Sequence, residues 1–352
     1  MKICETRNTS MLKKYLSAVI AVFLIATGAM GISLAENEVE EQSEMSWEDL
    51  LGVLASLEDR NTHYWDYVET SQPLEAKYTV LGSYEVSCEE YDAGANAWQK
   101  YMIWYPQELP SSNETWPLVI MANGTGVKAS QYSEVFRHLA SWGFIVAGNE
   151  DENSRTGESS AATLDYLLAL NNNPDSVFFG KIDIDHIGIA GHSQGGVGAI
   201  NAVTAQENGS YYSAMWTASC TSPYHAENLG ADWTYDTAKI RIPYMLVGGT
   251  GFLDAGNADT ADQEGDGIAQ GICSLWSMRQ NYDAIPSGVA KVMARRVGMD
   301  HGDMLRNADG YMTAWFMWQL QGDEEAALAF IGENPEIAVN PLYQDQQISL
   351  SE

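Results

Sequence analysis

Cysteine is scarce in this chain of 352 residues. There are four, Cys4, Cys88, Cys220 and Cys273, and no two form a C-x-x-C pair. A disulfide-stapled scaffold needs a denser and even set, and a structural zinc site needs paired thiolates, so neither class fits. The three cysteines beyond Cys4 allow one disulfide at most and leave an odd thiol. Positive charge is scarce as well. Lys and Arg number 18 against 48 Asp and Glu, for a formal charge of −30, and such a surface repels nucleic acid and anionic lipid. The chain has no G-x-x-x-x-G-K-[ST] stretch, which excludes a P-loop nucleotide site. It also has no internal repeat and no low-complexity block, which excludes solenoids and arrays.

Long apolar runs are absent too, with one exception: Tyr15 to Met30 follows Lys13 and Lys14, with Ser33 and Ala35 at the −3 and −1 positions of a cleavage site. This pattern predicts an export signal over 1–35, cut after Ala35. The run is nearly long enough to span a bilayer, so an uncleaved membrane anchor is the alternative. Lys2, Arg7, Lys13 and Lys14 outweigh Glu5 in this leader, so the remainder is more acidic still. Residues 36–75 read as an acidic N-terminal extension: a charged stretch from Glu36 to Glu44, then a short helical pattern (Trp47, Leu50, Leu51, Leu54) capped by Ser46. A single domain is expected over 76–335, with a C-terminal tail over 336–352.

Within that domain strand and helix signals alternate. Strands are expected at Tyr78 to Leu81, Tyr101 to Tyr105, Leu118 to Ala122, Phe144 to Ala147, Ile187 to Ala190, Ala214 to Ala218, Pro243 to Gly248 and Lys291 to Val297, the first two as an antiparallel edge. Helices are expected at Tyr132 to Trp142, Ala161 to Leu170, Gly196 to Gln206, Ile268 to Tyr282 and Met304 to Gln321. The alternation predicts an α/β class fold: a doubly wound, mostly parallel sheet with helices on both faces. The functional site of such a sheet lies at the carboxyl ends of its strands.

Gly191-His192-Ser193-Gln194-Gly195 stands between one of these strands and a helix start rich in small residues. A serine on a tight strand-to-helix turn exposes its Oγ at the top of the sheet, and the turn requires nearly bare flanking positions. Ser193 is therefore the candidate nucleophile. It needs a neutral imidazole as base and a carboxylate to orient that imidazole. His301 follows the last expected parallel strand directly and is the candidate base; His225, expected in a loop after a later strand, reads as a cleft-edge or surface residue. Asp254 is the first carboxylate after the preceding strand and the candidate acid, with Asp259 in reserve and Asp300 as a loop-shaping residue. The oxyanion hole is assigned to the amides of Gln194 and Thr125, the latter in the loop Asn123-Gly124-Thr125-Gly126. Gly124, Tyr224 and Phe252 are the expected substrate contacts. Asp259, Asp262, Glu264 and Asp266 are dense in oxygen ligands, but Cys273 stands where a calcium loop closes with glutamate, so a solvated acidic loop is expected and no metal.

Several stretches together resemble secreted α/β-hydrolases of the bacterial cutinase, polyester hydrolase and dienelactone-hydrolase-like group. They are Asn123 to Gly126, His138-Leu139-Ala140-Ser141-Trp142-Gly143-Phe144-Ile145-Val146, Gly191 to Gly196, His301 and Ala314-Trp315-Phe316. The resemblance spans about Tyr78 to Phe330 and implies an α/β-hydrolase fold and a serine esterase. Such an enzyme acts on small-molecule or polymeric esters through a Ser-Asp-His triad, without a cofactor. An amide or other acyl hydrolase on the same triad, or a non-catalytic binding protein on this fold, is the alternative. The chain departs from the group at Thr125, where relatives often carry an aromatic clamp, and at Gln194, where they often carry Met. Both departures argue against a pocket for polymer aromatic rings. The C-terminal cysteine pair of many cutinase-like members is missing, and dienelactone hydrolases proper use a cysteine where this chain has Ser193. The expected setting is extracellular, with no nucleic-acid partner and no stable membrane association once the leader is removed.

Overall fold

The computed structural model of the chain describes residues 63–94, 96, 98–256 and 271–350. Nine strands among them form one sheet: β1 (Val86–Asp92), β2 (Lys100–Pro106), β3 (Trp116–Ala122), β4 (Ile145–Asn149), β5 (Ile182–His192), β6 (Tyr212–Ala218), β7 (Tyr244–Gly249), β8 (Lys291–Arg296) and β9 (Tyr343–Ser349). Their order is β1-β2-β4-β3-β5-β6-β7-β8-β9. From β4 to β8 all neighbours are parallel, while β1, β2 and β9 close the edges antiparallel. The parallel centre follows from composition: every residue of β3 (Trp-Pro-Leu-Val-Ile-Met-Ala) and of β7 (Tyr-Met-Leu-Val-Gly-Gly) is buried, as strands covered on both faces must be.

Seven helices matter for the site: α1 (Pro73–Thr79), α2 (Ser133–Ser141), α3 (Glu158–Asn171), α4 (Gln194–Thr204), α5 (Pro223–Leu229), α6 (Leu275–Ala284) and α7 (Asp309–Gln321). Phe136 and Leu139 of α2 pack with Tyr311, Trp315 and Phe316 of α7 on one face of the sheet. Leu164 of α3, Val197 and Ile200 of α4 and Met278 of α6 pack on the other. Burial of each such side chain contributes about 1.5–3 kcal/mol. Trp315 also finds a partner for its indole N–H, which donates to the Met215 carbonyl at 3.1 Å.

The edges differ from the sequence expectation. Tyr78 to Leu81, expected as a strand, is the end of α1 and the turn after it. Pro73 at the first helical position presets the backbone for a helix, and that outweighs the β-branched tail of the segment. The antiparallel edge is instead β1 with β2. The boundary expected at 75/76 falls inside α1, and residues ahead of it belong to the core: Tyr64 and Trp65 are buried, and Glu75 pairs with Arg296 of β8 at 2.6 Å. Residues 336–350, expected as a tail, contain β9, which pairs with β8. The helix expected from Ile268 begins only at Leu275, where Ser274 caps it by accepting from the Ser277 amide. The helix expected from Met304 is broken at Ala308, after a single turn. The leader, the 36–62 part of the extension, the reserve acid Asp259 and the acidic loop of Asp262, Glu264 and Asp266 lie outside the described residues. Among the described residues no helix is long and apolar enough to cross a membrane.

Candidate active site

Ser193 sits between β5 and α4 with φ 59° and ψ −122°, a backbone conformation that costs a non-glycine residue on the order of 1–3 kcal/mol. The turn is possible because the residues two before and two after Ser193 are glycines. A Cβ on Gly191 would lie 2.0 Å from the Gly195 carbonyl oxygen, and one on Gly195 would lie 2.1 Å from that of Ala122 at the end of β3. The Ser193 amide donates to the Ala218 carbonyl at the end of β6 (3.0 Å), so the strained residue is tied to the neighbouring strand.

His301 opens a short 3-10 turn, His301–Asp303, after β8, and Asp254 lies on a single helical turn, Phe252–Ala255, after β7. The His301 Nδ1 is 2.7 Å from Asp254 Oδ1, and its Nε2 is 2.9 Å from Ser193 Oγ. A carboxylate only accepts, so Nδ1 carries the hydrogen and Nε2 is left to accept from the serine hydroxyl. Asp254 is fully buried, whereas the His301 side chain is 15% exposed. Burial alone would raise the Asp254 carboxyl, yet it is held below the usual carboxylate range by His301, the Ser219 hydroxyl and the Gly249 amide. Ser219 Oγ donates to Asp254 Oδ2 at 2.5 Å and the Gly249 N–H at 2.7 Å. Asp300 shapes the loop, as expected: its carboxylate accepts from the amides of His301 (2.8 Å), Asp254 (2.9 Å) and Leu253 (3.2 Å).

The loop after β3 lies against the elbow. Its Asn123 side chain donates to the carbonyls of Asn149 and Asp151, and the Gly124 amide donates to the Tyr132 hydroxyl at 3.0 Å. The amides of Thr125 and Gln194 find no protein acceptor among the described residues, which leaves both as donors. A Cβ on Gly124 would sit 3.3 Å from the His192 carbonyl oxygen and 3.4 Å from His192 Nδ1, so Gly124 packs against the elbow rather than opening a pocket. The His192 ring lies 4.8 Å from the ring of His301, tilted 45° to it, and its Nε2 is 2.7 Å from the His301 carbonyl oxygen. Tyr224, half-buried on α5, meets His225 edge-on at 5.4 Å. His225 is on the same helix, not in a loop, with Nδ1 2.7 Å from Ser222 Oγ. Phe252 is exposed two residues before Asp254.

Sequence reasoning missed Ser219, Tyr132 and the contact made by His192. Ser219 carries one signal: it immediately follows the strand beside the elbow, where the chain must turn over the acid. Tyr132 and His192 carry no local pattern for these roles. Among the described residues Cys88, Cys220 and Cys273 form no disulfide, and burial pushes Cys220 up to about 12.

A family model described as PET hydrolase-like matches residues 66–258, more than half of the chain; the match includes Ser193 and Asp254 and ends before His301. Cutinase 2 of Thermobifida cellulosilytica is 27% identical over 240 residues, which cover 66% of this chain and 76% of that protein. Cutinase cut1 of Thermobifida fusca is 27% identical over 240 residues, covering 66% of this chain but only 62% of its own length. A bis(hydroxyethyl) terephthalate hydrolase of Streptomyces coelicolor is 28% identical over 154 residues, 42% of this chain and 43% of that protein.

Proposed function

We propose, on the premise that this chain belongs to the PET hydrolase-like family, that it is an exported serine hydrolase that cleaves carboxylic esters through an acyl-enzyme. Ser193 Oγ attacks the ester carbonyl carbon while His301 Nε2 takes its proton. Asp254 keeps the imidazole in the required tautomer and stabilises its charged form. The carbonyl electron pair moves onto oxygen, where the Thr125 and Gln194 amides receive it, the second at the start of α4. Collapse of the intermediate breaks the ester C–O bond, and His301 returns the proton to the departing alcohol. Water, deprotonated by the same histidine, then releases the acid and restores Ser193. No step calls on a cofactor.

One observation carries this reading: the unbroken hydrogen-bonded line from Ser193 Oγ through His301 to the buried Asp254. The curated relatives named as cutinases and as a bis(hydroxyethyl) terephthalate hydrolase support ester substrates, and the leader pattern over 1–35 supports export. Purified protein is expected to hydrolyse p-nitrophenyl esters somewhere in the range from acetate to palmitate and to be labelled at Ser193 by a fluorophosphonate. Both properties are expected to vanish in Ser193→Ala, with a loss of at least about 10³-fold in kcat. Hydrolysis that survives the substitution within about tenfold would overturn the assignment.

A further inference from the structure

We propose that His192 is a positioning residue that keeps His301 in reach of Ser193 by gripping the backbone carbonyl of His301; the assignment rests on the acyl-enzyme reading above. His301 opens a short 3-10 turn, His301–Asp303, and its side chain makes its two bonds at the ring nitrogens. Those ring bonds do not by themselves fix the peptide groups of His301. Here both of its peptide groups are held: the His301 N–H donates to Asp300 Oδ1 at 2.8 Å, and the His301 carbonyl accepts from His192 Nε2 at 2.7 Å. The second grip comes from the residue bonded directly to Ser193. The elbow that fixes the nucleophile therefore fixes the base as well, and the strained backbone of Ser193 gives that strap a rigid anchor.

The chemistry of the contact determines which side chain will serve. A carbonyl oxygen accepts only, so His192 Nε2 must carry the hydrogen. Burial and the neighbouring His301 push the His192 ring down to about 4, so it remains a neutral donor across the neutral range and adds no charge beside the imidazolium that forms during turnover. The His192 ring, tilted 45° to that of His301 at 4.8 Å, also fills the space beside the base. Loss of the strap lets the base drift from Ser193 Oγ, and a misplacement of about 1 Å costs on the order of 10²-fold in rate.

The test is steady-state kinetics on a soluble p-nitrophenyl ester with His192→Phe, His192→Gln and His192→Asn in the full chain. Phe keeps a flat ring of similar bulk and removes the donor, and is expected to lose about 10- to 100-fold in kcat with KM changed less than about threefold. The Gln amide reaches the place of Nε2 and is expected to recover to within about fivefold of wild type, while the shorter Asn amide does not. If Phe fails to fold, the Gln and Asn pair decides: Gln must exceed Asn by about fivefold or more in kcat. Equal kcat for Gln and Asn, near-wild-type kcat for Phe, or a loss confined to KM overturns the positioning role. Failure of the underlying reading looks different, because wild type itself would then show no hydrolysis that Ser193→Ala removes.

Discussion

His301 and His138 each hold an aspartate at Nδ1, at 2.7 Å from Asp254 and 2.8 Å from Asp309. By distance the pairs are alike, but Asp254 Oδ1 is hydrogen-bonded to the His301 ring while the buried Asp309 oxygens have no well-formed hydrogen bond among the described residues, and the far nitrogens differ as well. His301 Nε2 faces Ser193 Oγ, whereas His138 Nε2 is committed to the Val80 carbonyl at 2.9 Å. His138 and Asp309 are both fully enclosed between α2 and α7. The carboxylates differ too. Asp254 receives Ser219 and Gly249 as further donors and lies below the usual range, while burial pushes Asp309 up more than His138 and Tyr64 pull it down. A histidine beside an aspartate is thus no sign of catalysis by itself. An imidazole nitrogen left free to exchange a proton with a reactant is.

The sharpest way to break this comparison is to neutralise each acid in turn. Asp254→Asn is expected to lower kcat on the order of 10⁴-fold, because the amide favours the wrong tautomer of His301. Asp309→Asn is expected to leave kcat of the folded protein within about threefold, since its partner touches no reactant. If both variants stay within about tenfold of wild type, Asp254 is not the acid. Asp259→Asn as the larger loser would transfer the role to that residue.

Stability should rank the pairs the other way. His138→Ala removes the cationic partner of a fully buried carboxylate, and removal of one partner from a buried pair costs about 3–5 kcal/mol. His301→Ala leaves Asp254 with two donors and removes a ring that already touches solvent, so a loss below about 2 kcal/mol is expected. Urea unfolding of the two variants measures this directly. A larger loss for His301→Ala would show that the site, not the core pair, carries the structural burden.

The contrast also shows what a sequence can reveal. The centre of the sheet was legible because strands buried on both faces must be continuously apolar, as Leu118 to Ala122 is. The elbow was legible because its geometry tolerates almost nothing but glycine at positions 191 and 195. His301 and Asp254 were legible through topology, as residues following the last two parallel strands. The edge strand β9 was not: Tyr-Gln-Asp-Gln-Gln-Ile-Ser has one partner and no buried face that would impose alternation. His138 and Asp309 escaped because two helices distant in sequence supply them, and neither helix marks the pairing locally. Ser219 and His192 escaped for the same reason, since each acts on a residue that only the folded sheet brings near.

The smallest effect separates the two regions by the sign of their pH dependence. For His138, burial lowers proton affinity, but the Asp309 carboxylate outweighs it and the ring is raised above its ordinary 6.5. The folded pair therefore keeps a proton that the unfolded chain releases near pH 6.5. Its contribution is complete below about pH 6.5 and is lost as pH rises through the folded value. The active-site groups run the opposite way. Asp254 is lowered, so its contribution is present above about pH 4 and is lost as pH falls further. His192 is lowered to about 4, so folding weakens as pH drops from about 6.5 toward that value. Unfolding free energy measured in urea from pH 4 to 9 should therefore fall on both flanks. His138→Gln alone is a poor probe, because the stranded Asp309 would bring its own titration. The double variant His138→Gln/Asp309→Asn removes both groups and is expected to flatten the alkaline flank by up to about 1.4 kcal/mol per pH unit; because Asp309 is itself raised, its removal steepens the acid flank rather than flattening it. An unchanged alkaline flank, or a flattened acid one, would mean that the buried pair does not hold its proton as its surroundings imply.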